Sequence, residues 1–276
     1  MAKIALVTGA ASGIGKATAT ALAQKGYHTV VLVRNAKRGE ETTRDILAKA
    51  PGAKVEVLVA DLGSQASIRA AASEFLSKHD KLDVLVNAAG VFVKEKKVTP
   101  DGLEQTFAVN YMAYFTLTNL LLDALKRAAP SRIVNVSSKY GGAKVDLDDP
   151  NFEKRPYSYL KSTPPTMAAR VAFTLELAER LKGSGVVVNS LHPGLVANTQ
   201  LLHDTGGFFR WLTNTIGGTP EKGADTAVWL ATAPETADVS GKMFEKRKEI
   251  KTPGQPADAD ARRKLWQMSE RFAKLP

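Results

Sequence analysis

The chain of 276 residues contains no cysteine. A disulfide framework, a thiolate metal centre and a cysteine nucleophile are thereby excluded. Histidine is scarce too: His28, His79, His192 and His203 are the only four, and they show no paired ligand spacing. No metal is expected on that ground. No window approaches the ~18 consecutive apolar residues of a membrane span. The opening "MAKIALVTG" runs straight into a strand-like pattern, without the successive regions of a signal peptide. These absences predict a soluble, cytoplasmic protein with no transmembrane segment.

Acidic residues are in deficit, 28 against 38 Lys and Arg, for a net charge of +10. Such a balance suits an anionic partner, and Lys246, Arg247 and Lys248 form its densest tract. Most of the cations, however, are interleaved with Asp and Glu along helical stretches, the pattern of a solvated face. The expected anion is therefore a phosphate-bearing small ligand, with no nucleic acid as partner.

Short β-branched runs alternate with longer helical patterns: "KIALVTG", "HTVVLV", "KVEVLVADL", "LDVLVNAAG", "RIVNVSS", "VVVNSLHPG" and "GKMFE". Between them apolar residues recur three and four apart, as in Phe107, Met112, Phe115, Leu117, Leu121 and Leu125. This alternation predicts βαβ units and an α/β fold, a single doubly wound parallel sheet of Rossmann-like type with helices on both faces. Neither an internal repeat nor a Pro/Ser-rich linker divides the chain. One nucleotide-binding domain over residues 1–276 is expected, with inserted stretches at 139–165 and, lid-like, at about 197–220.

The first strand ends in "TGAASGIG", and a helical pattern follows at once through Ala17, Ala21 and Leu22. Glycines here permit a tight turn and let backbone N–H groups approach a pyrophosphate at the helix N-terminus, where the dipole favours an anion. After the second strand stand Arg34 and Asn35, with Lys37 and Arg38 close by. No carboxylate occupies the strand end where it would bind a ribose 2′-hydroxyl. Cations there favour a 2′-phosphate, so NADP(H) is expected in preference to NAD(H).

The spacing T-G-x-x-x-G-x-G resembles the short-chain dehydrogenase/reductase superfamily. Further motifs of that family follow in order: Asp61-Leu62, "NAAG" at 87–90, Asn110, "VSS" ending at Ser138 and "HPG" at 192–194. The carboxyl-terminal "GKMF" and "RRKLWQMSE" resemble its retinol-dehydrogenase-like branch. The resemblance implies cofactor contacts from Gly9, Ser12, Gly13, Ile14, Gly15, Arg34, Asn35, Asp61, Leu62, Asn87, Ala88, Gly90, Pro193, Gly194 and Thr199. It implies catalytic roles for Ser138, which would hydrogen-bond the developing oxyanion, and for Asn110, which would support a water relay. A homodimer through the helices after "NAAG" and "SS" is implied as well.

In that family a Tyr protonates the substrate carbonyl, and a Lys four residues later holds the ribose and lowers the Tyr pKa. Tyr157 and Lys161 are the only literal Y-x-x-x-K of this segment. Counted back without a gap from Asn189 and Gly194, however, the Tyr position falls on Thr163 and the Lys position on Met167. Pro164 and Pro165 would each cost a helix interior about 3 kcal/mol. A helix with Thr163 as N-cap and Pro164 as first residue is therefore predicted, leaving Tyr157 and Lys161 in the preceding loop. There they serve either as the catalytic pair or as loop anchors. Residues 199–218 supply Leu201, Leu202, Phe208, Phe209, Trp211 and Leu212 either for a lid, implying a bulky lipophilic carbonyl or alcohol as substrate, or for core packing, a dimer face or, at Phe208 to Trp211, a membrane surface. Two functions stay open: an NADP(H)-dependent oxidoreductase, or a nucleotide-binding protein of the same fold without redox chemistry.

Overall fold

Runs of Val, Ile and Leu that are apolar at every position, rather than at every second one, belong to strands covered on both faces. In the computed structural model, which describes residues 2–139, 142–196, 217–252 and 254–274, these runs form the centre of one sheet. The strands are β1 (Ile4–Thr8), β2 (His28–Val33), β3 (Val55–Val59), β4 (Val84–Asn87), β5 (Ser131–Val136), β6 (Val186–His192), β7 (Lys242–Glu245) and β8 (Lys248–Ile250). Their order is β3-β2-β1-β4-β5-β6-β7-β8, and every neighbouring pair is parallel except β7 and β8. The expected doubly wound sheet is thus present, with an antiparallel edge strand added.

That edge strand accounts for the basic tract. Lys246 and Arg247, at φ +50° and +60°, make a two-residue hairpin turn between Glu245 and Lys248. Positive φ at both turn positions matches the right-handed twist of a hairpin but normally asks for Gly or Asn. Here Arg247 is held from outside, its N–H donating to Thr226 Oγ1 at 3.2 Å and its guanidinium forking onto the Asp225 carboxylate.

Two helical layers cover the sheet. On one face lie α1 (Gly13–Gln24), α2 (Ala36–Lys49) and α8 (Pro220–Thr232). On the other lie α3 (Gln65–Lys78), the broken helix α4 (Gln105–Phe107), α5 (Ala113–Leu120) and α6 (Leu122–Arg127), then α7 (Tyr159–Arg180) and α9 (Ala259–Ala273). Between α4 and α5 the turn Ala108–Met112 is wider, with Ala113 N–H reaching back five residues to the Ala108 carbonyl. The sequence pattern gives no sign of this π turn.

Helix α9 packs across α5 and α7: the Trp266 ring stacks on Phe173 at 5.9 Å and meets Phe115 edge-on at 4.9 Å. Tyr111 and Ser269 exchange a buried 2.7 Å hydrogen bond. The carboxyl-terminal helix thus covers part of the surface of α5 and α7.

Helix α7 corrects the predicted boundary. It starts at Tyr159, not at Pro164, with the Ser158 carbonyl receiving the N–H groups of Lys161 and Ser162 at 2.8 Å each. Pro164 and Pro165 lie inside it. The missing N–H groups would have served the carbonyls of Leu160 and Lys161, one turn earlier, and both those residues are exposed. Water can solvate the released carbonyls, which lowers the cost that a buried helix interior would impose.

Candidate functional site

The order β2-β1-β4 reverses direction along the sheet at β1, and in open α/β sheets the crevice beyond such a switch point holds the ligand. The loops after β1, β4, β5 and β6 meet there. The first loop is shaped for close backbone approach. A Cβ on Gly15 would stand 2.4 Å from the Gly9 carbonyl oxygen, and one on Gly9 would stand 2.8 Å from Ala89 Cα. Gly13 has φ +52°. Thr8 Oγ1 accepts the N–H groups of Ala88 and Ala89 at 3.0 and 3.1 Å, tying the β1 loop to the "NAAG" loop. Ser12 is the N-cap of α1, yet its side chain makes no capping bond, so its hydroxyl stays available at the helix N-terminus. Ile14 lies just inside that helix and packs beside Gly223. The cradle fits a pyrophosphate.

At the end of β2, Arg34, Asn35 and Lys37 are exposed. Asn35 has a structural task, as N-cap of α2 accepting the Arg38 N–H at 3.0 Å. Arg38 pairs with Glu41, whereas neither Arg34 nor Lys37 forms an ion pair among the described residues. Asp61 Oδ1 accepts the Gly63 N–H at 2.9 Å and holds the turn after β3, beside half-buried Leu62. Asn87 is buried, donating to Thr118 Oγ1 and Asn135 Oδ1. Gly90 is exposed above it, and Pro193 and Gly194 continue from β6. Thr199 lies outside the described residues, as does the apolar run of 201–212. At the base of that segment, Val196 pairs with Gly218. The helix that follows is N-capped by Thr219 and begins at Pro220.

The two serines after β5 separate cleanly. Ser137 is buried and donates to the Met167 carbonyl at 3.0 Å, so it fastens α7 to the sheet. Ser138 is half-buried, and among the described residues its hydroxyl makes only a long 3.4 Å contact to the neighbouring Lys139 carbonyl.

Asn110 is committed elsewhere. Its Oδ1 accepts the Val91 N–H at 2.7 Å and its Nδ2 donates to the Val91 carbonyl at 3.0 Å. Its own carbonyl accepts from Arg170 Nε. The side-chain amide and the backbone carbonyl of Asn110 thus each have a protein partner, and the residue braces the loop after β4.

Tyr157 and Lys161 do not share an element: Tyr157 precedes α7 and Lys161 lies in its first turn. The Tyr157 hydroxyl donates to the Val93 carbonyl at 2.6 Å and contacts the hydroxyls of Thr106 and Ser162 at 3.3 Å. Its ring meets Phe152 edge-on, and Tyr159 meets Phe92 in the same way. Lys161 is exposed. Of the two roles open to Tyr157, catalytic acid or loop anchor, these contacts favour the anchor. At the register positions, Met167 is buried and Thr163 is nearly so, with a hydroxyl that has no partner.

Arg170, which the motif reading overlooked, is the buried cation of this region. It is 4% exposed and donates to three backbone carbonyls, those of Asn110, Val136 (2.8 Å) and Ala89 (2.9 Å). A charge in the apolar run "MAARVAF" was the available signal.

A family model described as short chain dehydrogenase matches residues 3–206. The chain belongs to the short-chain dehydrogenase family. Within that family it falls in the retinol-dehydrogenase-like branch. It is 39% identical over 282 residues to human retinol dehydrogenase 13, covering 99% of this chain and 85% of that one. Identity to mouse retinol dehydrogenase 14 is 40% over 286 residues, covering 97% of this chain and 85% of that one. An uncharacterised protein from Mycobacterium paratuberculosis superposes with a TM-score of 0.80 at 27% identity, covering 99% of this chain and 93% of that chain. A short chain dehydrogenase from Burkholderia cenocepacia, solved in complex with NADP, superposes with a TM-score of 0.71 at 25% identity over 88% of this chain and 95% of that one. Among the described residues of this short-chain dehydrogenase, no helix is long and apolar enough to cross a membrane.

Proposed function

We propose that the protein is an NADP(H)-dependent oxidoreductase acting on a bulky lipophilic carbonyl or alcohol, with a proton path that does not run through a Tyr and Lys pair. The observation that carries this reading is the convergence of the glycine cradle and Ser138 on one crevice: β1, β4 and β5 are adjacent, and Asn87 and Asn135 stand side by side at their carboxyl ends. Gly9, Ser12, Gly13, Ile14 and Gly15 would hold the pyrophosphate. Arg34 and Lys37 would hold a 2′-phosphate. Asp61 and Leu62 would border the adenine, and Asn87, Ala88, Gly90, Pro193, Gly194 and Thr199 the nicotinamide half. The bound dinucleotide supplies the hydride. Ser138 then orients the substrate oxygen by donating a hydrogen bond, which strengthens as negative charge develops. With Tyr157 held at Val93, the proton comes from water or from a group of the substrate. The retinol dehydrogenases among the relatives support a lipophilic substrate, as does the apolar composition of 201–212.

One observation favours a second reading, a nucleotide-binding member of the family without hydride transfer. Met167 replaces the ribose-binding ammonium with a thioether, and no phenol occupies position 163. The two readings part in one experiment. NADPH oxidation with a panel of lipophilic aldehydes and ketones is measured for the wild type and Ser138→Ala, beside direct nucleotide binding. Turnover abolished by Ser138→Ala supports the first. Binding without turnover supports the second, and absence of both defeats each.

A further inference from the structure

The histidines that read as scattered along the chain do not remain apart. His28 opens β2, Glu56 stands at the start of β3, and His79 closes α3 as its C-cap. We propose that His28, Glu56 and His79 form a binding site for one divalent transition-metal ion of the zinc class, remote from the nucleotide crevice.

The ligand atoms already converge. Glu56 Oε2 stands 2.9 Å from His79 Nε2 and 3.4 Å from His28 Nε2, and all three atoms lie within 4.8 Å of one another. In a tetrahedral site with metal–ligand bonds near 2.0–2.1 Å, adjacent ligand atoms are about 3.3 Å apart. Only small side-chain shifts separate this arrangement from that geometry.

His28 supplies an independent pointer. The residue is 4% exposed, yet its Nε2, aimed at the Glu56 carboxylate, is buried without a hydrogen-bond partner. A buried polar atom without a partner costs roughly 1–3 kcal/mol, and a metal ion would remove that penalty.

The surrounding groups favour a single ion. Lys78 Nζ donates to Glu56 Oε1 at 3.1 Å, which fixes the carboxylate and leaves Oε2 facing the imidazoles. Two nitrogen donors and one oxygen suit zinc, cobalt or nickel and disfavour magnesium or calcium, which prefer oxygen shells. The Glu56 and His79 side chains are 22% and 10% exposed, so a water can reach the fourth position.

The location argues for a clip. All three residues lie at or near the amino-terminal ends of β2 and β3, while the proposed cofactor crevice opens at the carboxyl ends. The six residues of β2 put these ends roughly 17 Å apart at 3.3 Å per residue. A metal here would join β2, β3 and the end of α3 without entering the redox chemistry, and bound zinc would raise stability by mass action.

The test uses the untagged full chain after chelator treatment, titrated with Zn²⁺ alone by calorimetry and with Co²⁺ alone by visible absorption. One saturable equivalent is expected, with cobalt bands of low-coordinate type and a zinc-dependent rise in Tm. His28→Gln and His79→Gln should each weaken binding at least about tenfold, the lower range found even for outer-sphere partners. The double change His192→Gln with His203→Gln should leave it intact. Should His28→Gln fold poorly by circular dichroism, His79→Gln at the rim carries the comparison. No saturable uptake by the wild type, or uptake indifferent to both variants, overturns the proposal.

Discussion

The guanidinium of Arg170 lies 4.1 Å from the centre of the Tyr114 ring, and the two side chains donate to the same pair of backbone carbonyls, Ala89 and Val136. Burial pushes the Tyr114 pKa up to about 12 against the nearby positive charge. The pair thus clasps the carboxyl ends of β4 and β5, beneath the loops that form the crevice. Replacing Arg170 by Met takes a donor from three carbonyls, of which those of Ala89 and Val136 keep only the Tyr114 hydroxyl. We expect a loss of about 3 kcal/mol in unfolding free energy. The measurement is a urea midpoint at constant m-value, and Arg170→Lys should recover only part of the loss because an ammonium cannot fork onto all three.

Tyr157 offers a sharp contrast between an anchor and an acid. As an anchor, Tyr157→Phe loses the bond to Val93 and costs about 1 kcal/mol of stability. Turnover should stay within about twofold of wild type, because a general acid normally contributes ~100-fold or more. A fall of that larger size would return Tyr157 to the chemistry.

Gly15→Ala probes the cradle without touching any charge. Its new methyl would meet the Gly9 carbonyl oxygen at 2.4 Å. Nucleotide affinity should drop at least ~100-fold, equivalent to about 2.7 kcal/mol, with the far-ultraviolet circular dichroism spectrum unchanged. Retained affinity would place the pyrophosphate elsewhere.

Arg34→Glu should separate the two nicotinamide dinucleotides. Loss of an exposed cation at the end of β2 should weaken NADPH binding about tenfold, and NADH binding should change little or improve. Equal effects on both would remove Arg34 from the 2′-phosphate.

The stability of the protein should fall as the medium is acidified from neutrality. Burial chiefly, aided by Lys139 and opposed by Glu245, depresses the pKa of His192. The unfolded chain, at about 6.5 for histidine, then binds a proton before the folded chain does, so unfolding free energy drops as pH passes below that value. Urea midpoints measured from pH 7.5 to 5.5 should show this decline, and His192→Gln should make it shallower, with buried His28 supplying the remainder.

The seven parallel strands and the glycine loop were legible because each rests on local rules, buried apolar runs and turn chemistry. The start of α7 was not. Pro164 and Pro165 argued for a boundary, but the carbonyls that they release belong to exposed Leu160 and Lys161, a fact of tertiary placement. The hairpin at Lys246 and Arg247 carries no glycine, since Asp225 and Thr226, twenty residues away, hold its shape. Asn110 was found by motif, while the partners that hold it were not, because the π turn around it and the carbonyl bond from Arg170 exist only in three dimensions.

The bridge between Val196 and Gly218, reinforced by the Gly218 N–H on the Leu195 carbonyl at 2.9 Å, fixes two points of the frame side by side. Both residues therefore belong to the frame, one just beyond β6 and the other just before the N-cap of α8. With the two ends held side by side, closing any chain between them costs only about 0.6 kcal/mol more for each doubling of its length.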